Sequence, residues 1–178
     1  MDVASGVVDK IDADELYVPG PCRNQFGDWS PDSKWMAYTK VTETQFKKVF
    51  LYSVEQKKSF ALTDGLSDAS EPIFDKGSKY LFFFASTDAG PVVNWFDQSN
   101  NDMRSTKSIY LVTLQKETIS PFAKESDEEK IKEPSDSSKT KTVADKKDGG
   151  LVIDWDGIQN RIVDLPVPAG NYSSLGMG

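Results

Sequence analysis

Acid–base and nucleophilic chemistry near neutral pH most often rests on an imidazole, and this chain of 178 residues contains no histidine. A Ser-His-Asp triad, a Cys-His pair and any His-ligated zinc site are therefore excluded within it. Cys22 is the single cysteine, so no internal disulfide can form, and a thiol with no imidazole to activate it reads as structural. Asp127-Glu128-Glu129 offers carboxylates to a cation, but it lacks the Asp-x-Asp-x-Asp-Gly loop that arrays oxygens around calcium and reads as a solvated charge run. Asp154 and Asp156 lie two apart, which on a strand puts both on one face beside Trp155; with Gly157 following, they read as turn chemistry and not as a catalytic carboxylate pair. No catalytic, metal-binding or cofactor-binding residue is assigned. What remains is a candidate interaction loop in residues 87–107 that holds Trp95, Phe96, Asp97 and Arg104. Its two aromatics either pack the loop onto its own sheet or line a pocket or a neighbouring domain.

The elements that would carry such a loop are organised around residues 28–40, Asp-Trp-Ser-Pro-Asp-Ser-Lys-Trp-Met-Ala-Tyr-Thr-Lys. Pro31 presets a turn and Asp32 and Ser33 can bond their own backbone. After it, Trp35, Ala37 and Thr39 alternate with Met36, Tyr38 and Lys40 as a strand with one buried face. A second β-rich run at residues 49–54 and a third at 59–63, stopping at Asp64-Gly65, complete a unit of four short strands. The pattern then recurs about 45 residues on: residues 71–74 match the strand before the turn, 75–78 the turn, 79–84 the strand after it, 108–113 the third strand and 118–122 the closing strand. Four strands per unit at this period predict an all-β, partial β-propeller of about two antiparallel blades with parts of flanking blades. An antiparallel sandwich or meander is the alternative.

The expected organisation follows. Residues 1–20 are the last strand of a preceding blade, with residues 3–11 as the strand, and a connector broken by Pro19-Gly20-Pro21. Residues 21–65 are one blade, and 66–123 a second that carries the inserted loop. Residues 124–150 are a charged disordered linker, with seven lysines against eight acidic side chains over 123–150 and almost nothing apolar. Residues 151–178 start the next blade segment, with Asp156-Gly157 as a hairpin signal. Both ends read as cut, so Trp29, Trp35 and residues 82–84 are expected to face missing neighbours, and the isolated chain to be marginally stable or self-associating.

Twenty-one basic against 28 acidic residues give a net charge of −7, which disfavours a phosphate backbone or an anionic membrane as partner. No apolar run reaches the roughly 18 residues of a membrane span.

Trp29-Ser30-Pro31-Asp32-Ser33-Lys34 resembles the WD-like blade motif Trp-Ser-Pro-Asp-Gly-Lys of the TolB, prolyl oligopeptidase and tricorn propellers, with Ser33 where glycine is usual. Residues 74–79 are a looser copy. Residues 153–158, 160–163 and 165–172, with the inserted residues 85–91, are similar to the propeller region of bacterial tricorn protease homologues, from about Trp29 to Tyr172. The resemblance implies a non-catalytic segment of a larger serine peptidase (a hydrolase), whose catalytic serine, histidine and oxyanion hole sit in a separate C-terminal core behind a PDZ-like domain. It also implies a channel wall and interdomain surface for peptide degradation, with the remaining blades and the peptidase core as partners, peptides as transient ones, and a homo-oligomer as a further form. No cofactor is implied. A periplasmic or secreted parent fits the resemblance, with a cytoplasmic one as the alternative. A TolB-like propeller holding a protein or small-molecule partner is the other reading.

Overall fold

The computed structural model describes residues 4–16, 27–87, 106–122 and 150–177. The candidate loop residues Trp95, Phe96, Asp97 and Arg104, the charged run 124–149 and Cys22 lie outside them.

Two four-stranded antiparallel meanders form the body. The first orders β1 (Gly27–Trp29), β2 (Trp35–Val41), β3 (Lys47–Ser53) and β4 (Lys58–Ala61) as nearest neighbours; the second orders β5 (Asp68–Phe74), β6 (Tyr80–Ser86), β7 (Ser108–Thr113) and β8 (Ile162–Asp164). Each is a propeller blade, and the alternation read from the sequence decides which face is inside. Trp35, Ala37 and Thr39 of β2 are buried while Met36, Tyr38 and Lys40 are only half-buried. The core lies between the sheets. Ala37, Val49 and Leu51 of the first meet Phe74, Leu81, Phe83, Ala85 and Val112 of the second in one cluster with Leu62 and Ala69, and β5 packs across β1, β2 and β3.

The repeated turn has the same backbone in both blades. Ser33 N–H donates to Ser30 C=O at 2.8 Å and Ser78 N–H to Asp75 C=O at 3.1 Å. Ser33 and Ser78 both adopt left-handed backbones, φ 59° and 56°, where a Cβ is strained. This explains why glycine is usual at the position of Ser33, and in the second copy Gly77 falls one place too early to help. Ser33→Gly is expected to stabilise the chain by about 0.5–1 kcal/mol, the left-handed relief outweighing the added chain entropy. A urea midpoint that fell instead would show that the serine side chain matters more than its backbone.

Four expectations change in three dimensions. Residues 118–122 are not the closing strand: they are irregular up to a turn at 121–122, with Ile119 77% exposed. Pro121 supplies no ladder donor there, and Ile162–Asp164 pairs with β7 instead, Tyr110 opposite Asp164 and Val112 opposite Ile162. Asp156-Gly157 is no hairpin. Gly157, at φ 68°, precedes a 3-10 helix, Ile158–Arg161, that buries Ile158. The N-terminal residues 4–14 form no strand and reach the first blade through side chains. Finally, Trp35, Phe83 and Phe84 are 8%, 2% and 2% exposed, not waiting for neighbours, whereas Trp29 is 51% exposed as expected. Phe60 and Trp155 cover Trp35, and Tyr172 stacks on Phe84 at 6.1 Å.

Candidate functional site

Three assemblies of polar side chains arise from this scaffold. The first lies on the face of β2 and β3 turned away from the core. The Tyr38 hydroxyl donates to Asp12 Oδ2 at 2.6 Å and hydrogen-bonds with Ser59 Oγ at 2.8 Å. Lys40 Nζ stands 3.4 Å from Asp12 and 3.2 Å from Glu15, and 4.7 Å above the Phe50 ring, on which Tyr38 also stacks. The Asp14 carboxylate accepts the Val41 N–H and Glu15 accepts that of Glu43, so residues 12–15 strap the blade. Burial, then the hydrogen bond and charge of Asp12, push the Tyr38 phenol well up, the Ser59 contact opposing only in part. Burial raises Asp12 too, but the bonds from Tyr38 and the Ala13 N–H and the charge of Lys40 outweigh it and hold the carboxyl below its ordinary value. A phenol locked neutral beside an ionised carboxylate is tuned away from proton transfer near pH 7; its role is to fasten the strap.

The second assembly joins sequence-distant pieces. Asp32 Oδ1 accepts the Ser30 hydroxyl at 2.6 Å and the Lys34 N–H at 3.1 Å, and its Oδ2 accepts the Leu151 N–H at 2.6 Å. In the second blade the Asp75 carboxylate, among the described residues, binds its own turn alone, through the N–H groups of Gly77, Lys79 and Tyr80. Asp32 therefore ties the segment returning at residue 150 to the first blade. Beyond it, the Asp154 N–H donates to Leu114 C=O at 2.9 Å, the Asp154 carboxylate accepts the Lys116 N–H, and Asp156 pairs with Lys116 Nζ. The Arg161 guanidinium donates to the carbonyls of Thr113, Asp154 and Asp156. The carboxylates of Asp154 and Asp156 are thus both engaged by Lys116, far away in sequence, and not by the local turn that their spacing suggested.

Burial raises the Asp32 carboxyl, but the bonds from Ser30, Leu151 and Lys34 and the Lys34 charge more than offset it and hold it below its ordinary value. A carboxyl depressed in the folded state contributes stability that is present above the unfolded value and is lost as pH falls through the folded one. Asp32→Ala is expected to cost about 1–2 kcal/mol at pH 7. Urea midpoints taken from pH 7 to pH 3 should fall less steeply for the variant than for the parent chain; parallel curves would remove Asp32 from the acid response.

The third assembly is a groove of about 340 Å³ between the blades, lined by Thr63, Asp64 and Leu66 from the β4–β5 connection, Phe83 and Tyr110 from β6 and β7, and Gln159 from the 3-10 helix. Gly65 makes this connection possible: at φ 84°, a Cβ there would fall 1.9 Å from Cε of Lys48. Sequence reading took Asp64-Gly65 only as a strand stop. The groove draws on four elements spread along the chain, and no local pattern joins them. Among the described residues no group of three or more cysteine, aspartate or glutamate side chains is placed to hold a metal ion, and no helix is long and apolar enough to cross a membrane.

The family described as the tricorn protease second beta propeller domain matches residues 1–177. The chain belongs to this family. Among similar proteins, tricorn protease homolog 2 of Streptomyces coelicolor is 27% identical over 165 residues, covering 89% of this chain and 13% of its own length. The crystal structure of the tricorn protease aligns at 19% identity and a TM-score of 0.51 over 83% of this chain and 13% of that one. A TolB structure from Agrobacterium tumefaciens aligns at 17% identity and a TM-score of 0.38 over 50% of this chain and 26% of that one. The chain thus spans about an eighth of the length of the tricorn proteins it matches. In this tricorn propeller the turn motif of residues 29–34 does identifiable work: it sets the strand that buries Trp35, and its aspartate holds the returning segment.

Proposed function

We propose that this chain is a non-catalytic propeller part of a tricorn-type serine peptidase, forming a wall of the passage through which peptides enter or leave and a surface for the parent's other domains. The membership of residues 1–177 in the tricorn propeller family carries this reading. The geometry supports it in two ways. The first strands of the two blades, β1 and β5, pack against each other, joined by Asp28 Oδ2 accepting the Phe74 N–H at 2.8 Å, and Trp29 at the end of β1 is half exposed. Selection by such a wall is steric: an extended peptide passes and a folded chain does not, so no bond-making group is required of it. The remaining blades and the peptidase core are its partners, and peptides occupy it transiently.

The test uses the full-length peptidase in a Cys22→Ser background, with Trp29→Cys labelled by a bulky maleimide. Cleavage of a long unstructured peptide should slow severalfold while a chromogenic dipeptide is cleaved as before. Unchanged rates for both would take Trp29 off the route and favour the partner-binding propeller. An equal loss for both would mean that the label disturbs the catalytic core.

A further inference from the structure

We infer that the groove between the two blades is a subsite for one cationic side chain, lysine or arginine, of an extended peptide. Asp64 is the one formally charged residue among the described residues that line it. Its Oδ1 accepts the Leu66 N–H at 2.9 Å, which fixes the carboxylate and leaves Oδ2 uncommitted among the described residues. Lys48 runs its stem against Gly65 but forms no ion pair with Asp64, so the carboxylate is not neutralised from within the blade. Two aromatic side chains also line the groove. Phe83 and Tyr110 stack at 5.7 Å with ring planes 17° apart, Phe83 buried beneath and Tyr110 half-buried.

A carboxylate and an aromatic ring that line one groove attract an ammonium or guanidinium entering it, by charge from the first and by ring quadrupole from the second. The volume of about 340 Å³ accommodates one long side chain and not a folded partner. The Gln159 amide and the Tyr110 hydroxyl, neither engaged by another described residue, supply the polar contacts that orient it. An acidic side chain would meet Asp64 with like charge, and an apolar one would leave three polar groups unmatched. The net charge of −7 favours the approach of a basic peptide.

That the carrier is a peptide rests on the proposed function, but the test measures binding by this chain alone and not passage through a parent enzyme, so either reading can fail without the other. The ¹⁵N-labelled 178-residue chain is titrated with acetyl-Gly-Arg-Gly-amide and with its citrulline counterpart, which keeps the shape and removes the charge. The arginine peptide should shift the amides of Thr63, Leu66, Tyr110 and Gln159 and bind about fivefold more tightly than the citrulline peptide. Asp64→Asn should erase that preference with the rest of the spectrum unchanged, and Tyr110→Leu should weaken the arginine peptide about threefold. Equal affinity for the two peptides, shifts confined to another surface, no binding by either, or a preference that survives Asp64→Asn would each overturn the subsite.

Discussion

Replacing Phe83 by alanine is expected to lower the stability of the chain by about 3–5 kcal/mol, because the ring is 2% exposed at the centre of the inter-blade core and its removal leaves a cavity the sheets cannot close. For a chain of this size each kcal/mol moves the melting temperature by about 2–4 °C, so a fall of about 6–20 °C is the readout. Phe82, one residue earlier, points to the opposite face of β6 and is only half-buried. Phe82→Ala should cost about 1–2 kcal/mol, in proportion to the smaller area it withdraws from water. The contrast between neighbours is the sharper test. Equal losses at the two positions would mean that the core does not lie between the sheets but is shared with the outer face.

Ile153→Ala is expected to cost about 2–4 kcal/mol, although residue 153 belongs to no strand. Leu151, Ile153 and Ile158 enter the core cluster from the side, each less than a tenth exposed, and Trp155 stacks on Phe60 at 4.7 Å and lies 6.0 Å from Trp35. The segment is held at one end by Asp32 in the first blade and at the other by Leu114 and the pairing of β8 with β7 in the second. A wedge fastened to both sheets loosens both when it is weakened. Hydrogen exchange in Ile153→Ala should therefore accelerate at amides of β3 and β7 alike, by up to the full stability change. Combining it with Asp32→Ala should give a loss that departs from the sum by about 0.5 kcal/mol or more, since the two sites grip the same segment. Exchange that quickened in one sheet only, with strictly additive costs, would reduce the segment to an appendage of that sheet.

Local chemistry settled a good deal of this protein in advance. The alternation of Trp35, Ala37 and Thr39 with Met36, Tyr38 and Lys40, and the recurrence of one turn at Ser30 and Asp75, determine two meandering blades, because strand faces follow a period of two and turn geometry follows a few side chains near in sequence. The lack of histidine excludes, from composition alone, a Ser-His-Asp triad, a Cys-His pair and a His-ligated zinc site made of these residues only. The sequence by itself also carried the family, through the turn motif and residues 153–172.

Tertiary structure decided what crosses long stretches of chain. A closing strand at residues 118–122 and one at 162–164 are both short β-rich runs; the second won because it keeps its ladder donors and because Leu151, Ile153 and Ile158 bury themselves on the way to it, at separations no periodicity encodes. The strap made by Asp12, Asp14 and Glu15 falls in a stretch read from the sequence as connector, and only folding brings it to Tyr38, Lys40 and the amides of Val41 and Glu43. The groove is the limiting case. Asp64, Tyr110 and Gln159 come from three elements, each ordinary in its own segment, and only the inter-blade contact brings them to line one groove. Such a site depends on positions in space, which are set by the burial of apolar side chains elsewhere in the chain.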